Sequence, residues 1–130
     1  MVLEISVEKK EKGVFIIKPS GRVDADTCHL LKKEIKKLLV PSVKVLILDM
    51  AGVEYISSSG IGLIFETKKD IERIKGSLVL SNLQPHVKKV FEIVKALPVL
   101  SLFGSAEELD RYLENLQKRD ALKPKRLHES

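Results

Sequence analysis

The run VKVLILDM, residues 43–50, limits most strongly what this chain can fold into. Its residues are aliphatic or β-branched with little polar interruption, which is typical of a strand buried on both faces of a parallel sheet. Parallel strands need a crossover connection between them, usually a helix. The run therefore predicts an α/β fold in which helices pack against the sheet.

Segments with strand and helix patterns alternate along the rest of the chain. Residues 3–9 alternate apolar and polar side chains and residues 14–21 follow a short turn, which predicts an antiparallel hairpin. Helical spacing of apolar residues begins near positions 28, 58, 85 and 106, and buried strands are predicted at 77–82 and 99–103. The expected order, β-β-α-β-α-β-α-β-α, describes one domain with a mixed sheet packed by about four helices.

Each predicted helix has a boundary signal: Asp24 or Asp26, Gly76, Pro85, and Ser105 with Glu108. The first two acids, and the serine with the glutamate three residues later, are expected as N-terminal caps. The proline suits the first turn of the third helix, and the glycine is expected to end the second.

Composition and charge narrow the possible functions. The 130 residues have a net charge of +5, but the lysine pairs are scattered over helix-like segments with acids nearby, as on solvated helix faces. With no tryptophan and 5% aromatic residues, a nucleic-acid interface is not expected. The single cysteine, Cys28, is typical of a cytoplasmic protein. No apolar run approaches the ~20 residues of a membrane span, so membrane insertion is not expected either.

The sequence also lacks the patterns of catalytic and metal sites. SSSGIG, residues 57–62, has neither the G-x-S-x-G of a nucleophile elbow nor the lysine of a phosphate-binding loop. The histidines are scattered, and His86 is expected on the surface near a helix start. No group of His, Cys or carboxylates has metal-ligand spacing. We therefore expect no enzyme activity, no metal and no cofactor.

The stretch YISSSGIGLI, residues 55–64, follows the buried strand and opens the next helix. Sites collect at the carboxyl ends of strands in open α/β sheets, and the first turn of a helix offers free N–H groups. A phosphate on a serine there would be stabilised by these groups and by the helix dipole. The serines can equally be ordinary helix caps. From the residues alone, both interpretations stay open.

Two glycines follow the serines inside the predicted helix. Each costs about 1 kcal/mol relative to alanine, which indicates that another surface or backbone comes close. Gly60 is expected at the exposed start of the helix, and Gly62 is expected to permit tight packing on the sheet.

The segment VKVLILDMAGVEYISSSGIGLI resembles the signature of the STAS domain family, the sulphate-transporter and anti-sigma-factor-antagonist domains. The family pattern is an apolar strand ending in Asp, matched by Asp49, then a turn, an apolar pair and Asp-Ser-Ser/Thr/Ala-Gly. GRVDADTCHLLKKEI is similar to the start of the family's first helix, and residues 78–109 resemble its closing strands and helices. The resemblance covers about residues 3–117 and implies a STAS domain at 1–117, followed by a polar, frayed tail at 118–130.

The resemblance implies a regulatory binding protein and not an enzyme. Anti-sigma-factor antagonists bind an anti-sigma factor that is also a serine kinase, and binding releases the sigma factor. Phosphorylation of the antagonist abolishes binding, and a phosphatase restores it. The implied partners are therefore such a kinase and a phosphatase. The alternative is a STAS scaffold, or a subunit of a transporter or stress-signalling assembly, without regulated phosphorylation.

Matched position by position, the resemblance makes Ser58 the phosphorylated serine, with Ser57 as the alternative. The chain departs from the family pattern at one position, because Ser57 stands where the family has an aspartate. The implied partner-binding residues lie at the end of the second strand and around the serine turn: Asp24, Ser57, Ser58, Ser59, Gly60 and Gly62.

Overall fold

The computed structural model describes residues 3–96 and 106–121. In these residues the mixed α/β architecture predicted from the sequence is confirmed. The elements in chain order are β1 Glu4–Glu11, β2 Val14–Val23, α1 Cys28–Leu38, β3 Val45–Asp49, β4 Gly52–Ile56, α2 Ser58–Arg73, β5 Ser77–Ser81, α3 Pro85–Ala96 and α4 Ala106–Ala121. The strand predicted at 99–103 and the predicted cap Ser105 lie outside the described residues. The tail predicted from residue 118 begins inside α4, so its first residues are helical.

Strand β2 organises the sheet. It pairs with β1 as the predicted antiparallel hairpin. Its other edge is shared by two parallel strands, with β3 along Val14–Ile17 and β4 along Ser20–Val23. Strand β5 pairs in parallel with β3, which gives the order β1-β2-β3-β5 with β4 beside β2. Because β2 has 10 residues and β3 has 5, half of one edge is left for β4.

Strand β4 is absent from the predicted order, which has a turn between the central strand and the serines. Its residues alternate as in a half-buried strand, with Val53 and Tyr55 buried and Glu54 exposed. The strand leads directly into α2. The serine turn therefore follows a strand that pairs with the end of β2, and not the central strand itself.

One hydrophobic core lies between the sheet and the helices. Its fully buried members include residues of β2, β3, α1, α2, α3 and α4: Ile17, Leu46, Leu48, Leu31, Ile35, Ile71, Val87, Val90 and Leu113. Burial on both faces of β3 is not observed, because Leu46 and Leu48 face the core while Val45 and Ile47 are half-buried. The expectation of a buried β5 is also wrong, since the side chain of Val79 is 44% exposed.

The turn before α1 is closed by Asp24, although neither predicted aspartate is the capping residue. Thr27 occupies the N-cap position. The Asp24 carboxylate accepts hydrogen bonds from the N–H groups of Asp26 and Thr27, at 3.0 and 3.2 Å. Pro85 lies in the first turn of α3, as predicted.

Helix α2 ends in a Schellman motif whose left-handed residue is a lysine. Gly76 N–H donates to the Ile71 carbonyl at 2.8 Å, and Lys75 N–H donates to the Glu72 carbonyl at 3.0 Å. The positive φ of 66° belongs to Lys75. Gly76 is required for a different reason, because a Cβ there would lie 3.0 Å from the Val43 carbonyl and 2.8 Å from Ile71 Cγ1.

Candidate functional site

Ser57 is the N-cap of α2, and its hydrogen bonds give it a structural role. Its Oγ accepts a hydrogen bond from Gly60 N–H at 3.3 Å, and its own N–H donates to the Val23 carbonyl at 2.9 Å. The residue is 3% exposed. Its hydroxyl is thus turned into the protein, where it satisfies one of the free donors of the first turn.

Ser58 begins the helix and is half-buried, and Ser59 is exposed. The Ser58 N–H donates to a carboxylate oxygen of Asp110, in α4, at 2.8 Å. Within residues 3–96 and 106–121, its hydroxyl makes no hydrogen bond. A carboxylate from a distant helix therefore occupies the anion-binding position at this N-terminus.

The two glycines of α2 have the opposite roles from those expected. Gly60 is buried, and a Cβ there would lie 2.7 Å from Ile56 Cγ1 and 2.9 Å from Val23 Cγ1. Gly62 is exposed, and a Cβ there would meet nothing within 4 Å. The tight packing on the sheet thus belongs to Gly60, and Gly62 leaves bare backbone at the surface.

Asp24 lies beside the serine turn, because the carbonyl of the preceding Val23 accepts the N–H of Ser57. The structure therefore brings together the predicted site residues from the end of β2 and the start of α2. Two of them, Ser57 and Gly60, are buried.

Arg22 joins two carboxylates next to this turn. Its Nη2 lies 3.0 Å from Glu114 Oε1, and its Nε lies 3.6 Å from Asp24 Oδ2. The guanidinium also stacks on the ring of Tyr55, 4.0 Å from the centroid. The cluster connects β2, β4 and α4.

The Tyr55 hydroxyl reports the electrostatic character of this cluster. Burial is the main cause that raises the pKa of Tyr55 to about 12, and the negative charges of Glu114 and Asp110 add to it. Arg22 acts in the opposite direction without cancelling them. The surroundings of Tyr55 therefore disfavour a further negative charge.

Helix α4 is fastened to this region by polar side chains that sequence analysis missed. The Gln117 amide, 2% exposed, accepts from Ile56 N–H at 2.9 Å and donates to the Ile56 carbonyl at 2.8 Å. The available signal was a glutamine close to the apolar stripe Leu109, Leu113 and Leu116. A polar residue in such a stripe is buried only with hydrogen-bond partners, so it predicts a specific contact.

His86 is also buried, at 8% exposure, so the expected surface position is wrong. Its Nε2 donates to the Glu54 carbonyl at 2.6 Å, which holds the start of α3 against β4. This role is structural. In the described parts of the chain, no three His, Cys, Asp or Glu residues are placed to hold a metal ion. Nor does a helix of those parts combine the length and apolar character needed to cross a membrane.

A groove of about 500 Å³ runs between β4 and α4. Its lining includes two cationic side chains, Arg22 and Lys118, and two anionic ones, Glu54 and Glu114. Because these charges balance in number, the lining has no net charge that would favour a cationic or an anionic ligand.

Comparison with known proteins identifies the family to which this chain belongs. The profile of the STAS domain matches residues 5–109. The chain belongs to the STAS domain family. This STAS domain is 29% identical over 105 residues to a candidate anti-sigma factor antagonist, BtrV, of Bordetella bronchiseptica, covering 81% of this chain and 90% of that protein. It is 28% identical over 113 residues to an anti-sigma-B factor antagonist of Listeria monocytogenes, covering 83% and 96%.

Solved structures share the fold of this STAS domain. The unphosphorylated form of the anti-sigma factor antagonist SpoIIAA matches with a TM-score of 0.64 at 22% identity, over 71% of this chain and 81% of that chain. SLC26A9, whose murine form is an anion transporter, also contains such a region, with a TM-score of 0.61 at 16% identity, over 88% of this chain and 22% of that one. The fold is therefore common to regulators and to parts of transporters.

Proposed function

We propose that this STAS domain is an anti-sigma-factor antagonist. It binds an anti-sigma factor with serine kinase activity, releases the sigma factor, and is switched off by phosphorylation of Ser58. A phosphatase reverses the switch. The names of the curated relatives support the general role. The observation that carries the choice of residue is that Ser57 is 3% exposed and caps the helix, whereas the Ser58 hydroxyl has no hydrogen bond among the described residues.

The proposed contact surface is formed by Asp24, Ser58, Ser59 and Gly62. These residues are half-buried or exposed and lie around the start of α2. Gly62 contributes backbone without a side chain, so a partner can approach the helix closely there. Gly60 and Ser57 support this surface from below and do not belong to it.

A phosphate on Ser58 would change this surface electrostatically. It brings a charge of about −1.5 to −2 and three acceptor oxygens to an area that already contains Asp24 and Asp110. An interface packed against the uncharged serine would then have to bury that charge, which weakens binding.

The test is phosphorylation by the cognate anti-sigma-factor kinase with ATP, followed by intact mass. Wild-type chain and Ser59→Ala are expected to gain the mass of one phosphate, and Ser58→Ala is expected to gain none. Ser58→Asp is expected to bind the kinase at least about tenfold more weakly than Ser58→Ala, a difference of about 1.4 kcal/mol. Phosphate uptake by Ser58→Ala would contradict the assignment of the site.

The alternative is a scaffold or transporter-associated STAS domain in which the serines only cap α2. Ser57 already acts as such a cap. This function predicts co-purification of the native protein with membrane transport components, together with no phosphate uptake from an anti-sigma-factor kinase.

A further inference from the structure

Helix α4 holds the serine turn through three residues on one of its faces. Asp110 accepts the Ser58 N–H, Glu114 binds Arg22, and Gln117 binds both backbone groups of Ile56. The spacing of four and then three residues places them in one stripe along the helix. Two of the three contacts are made by carboxylates.

A phosphate on Ser58 would affect these three contacts differently. Asp110 bonds to the backbone N–H of the very residue that would carry the phosphate. A phosphate has a higher charge and more acceptor oxygens than a carboxylate, so it competes for the free N–H groups of the first turn. The two anions cannot share this position without strong repulsion.

Repulsion would extend along α4 to the second carboxylate. Glu114 and Asp110 both act electrostatically on Tyr55, as does Asp24, so the three carboxylates lie in one region. Arg22 is the cation bound among them, and it would gain a phosphate as a competing partner. The neutral contact of Gln117 with Ile56 would not be affected in this way.

We propose that α4 is a latch on the start of α2, and that phosphorylation of Ser58 opens it by displacing Asp110. The N-terminal half of α4 moves away, while Gln117 keeps the other half attached. Leu109 and Leu113, 3% and 0% exposed in the closed form, become accessible to solvent. The inference rests on the proposed phosphorylation of Ser58, and it makes the output of the switch a change of shape in addition to a change of charge.

The experiment uses the full-length chain with phosphoserine incorporated genetically at position 58, so that no kinase is needed. Hydrogen exchange followed by mass spectrometry measures the protection of amides in residues 106–114. We expect protection there to fall at least about tenfold relative to the wild type, because loss of a hydrogen bond to a charged group has an effect of that order. Phosphoserine at position 59, which is exposed, serves as the matched control and is expected to leave α4 protected.

A second variant tests the role of the Asp110 charge. Asp110→Asn keeps an acceptor oxygen but removes the charge, so phosphoserine 58 should open α4 less in this background than in the wild type. Equal protection of residues 106–114 with and without phosphoserine 58, in a chain whose sheet amides remain protected, would overturn the latch. That result would not contradict phosphorylation of Ser58 by the kinase, because the phosphoserine is incorporated without it. Failure of the kinase to modify Ser58 would contradict the proposed function, but it would not change the exchange result.

Discussion

At the scale of single residues, Gly60 and Gly62 show how two neighbours in one helix meet different demands. Two residues correspond to about 200° of rotation, so the two glycines face opposite directions. Gly60 lies against Val23 and Ile56 of the sheet, and Gly62 lies in open space. Alanine has the same advantage over glycine in helix propensity at both positions, so a pair of substitutions isolates packing.

We expect Gly60→Ala to destabilise the fold by about 1–3 kcal/mol, because the new methyl group overlaps β-branched side chains that cannot move away easily. Gly62→Ala is expected to stabilise it by up to about 1 kcal/mol. Urea unfolding of both variants measures the two values. Under the proposed function, Gly62→Ala also weakens kinase binding despite its higher stability. A destabilised Gly62→Ala would contradict the open surroundings of that residue.

The misassignment of the glycines from the sequence has a simple origin. Ile64 and Ile71 follow Gly60 by 4 and 11 residues, which is the spacing of a buried stripe. Counting Gly60 as a member of that stripe therefore identifies the buried face of the helix from the sequence. Asp110 could not be found in this way, since it meets Ser58 across 52 residues of chain.

At the scale of elements, the C-terminal end of α2 contains backbone strain that a substitution can remove. Lys75 adopts the left-handed conformation that closes the Schellman motif, with a φ of 66°. A residue with a Cβ has a cost of about 1 kcal/mol there, and glycine has none.

Lys75→Gly is therefore expected to raise the free energy of unfolding by about 0.5–1 kcal/mol. Lys75→Ala removes the same charge but keeps the Cβ, so it is the matched control and should bring no such gain. Thermal or urea unfolding compares the two. An equal gain from both variants would attribute the effect to the charge of the lysine.

The predicted elements agree with the structure where the pattern is strong and fail where it is weak. The hairpin, β3, β5 and the helices α1, α2 and α3 have a clear periodicity or a continuous apolar run and are found where expected. Strand β4 is as long as β3 and β5, but it begins with a glycine and contains an exposed glutamate, so its signal is weak. Its place is set by the part of the β2 edge that β3 does not cover, which is information about the sheet and not about the segment itself.

At the scale of the whole molecule, the buried Tyr55, with the half-exposed charges around it, makes the free energy of unfolding depend on pH in the alkaline range. The folded chain holds the Tyr55 proton up to about pH 12, while the unfolded chain releases it near the ordinary value of about 10. Below pH 10 Tyr55 is protonated in both states, so its full contribution to the free energy of unfolding is present. Between about pH 10 and 12 the unfolded state binds fewer protons, so the free energy of unfolding falls as the pH rises.

We expect the wild type to lose up to about 1.4 kcal/mol per pH unit in this range relative to Tyr55→Phe, which has no proton to release. Urea unfolding at pH 10 and 11 measures the difference. The chain has two tyrosines, so Tyr112→Phe leaves Tyr55 alone for titration by phenolate absorbance. A midpoint near 10 in that variant would contradict the buried, negatively charged surroundings of Tyr55.

The hydrogen bonds on the outer side of β4 have a consequence for self-association. His86 and Gln117 bind the backbone groups of Glu54 and Ile56 that a neighbouring strand would otherwise bind. Free strand edges are templates on which other chains add strands, and proteins that leave them open tend to aggregate or exchange segments. Two side chains from two helices here stand in for a strand. Loss of either one would leave backbone donors or acceptors on this edge open to pairing with a strand of another chain, so these side chains guard against self-association in addition to holding the fold.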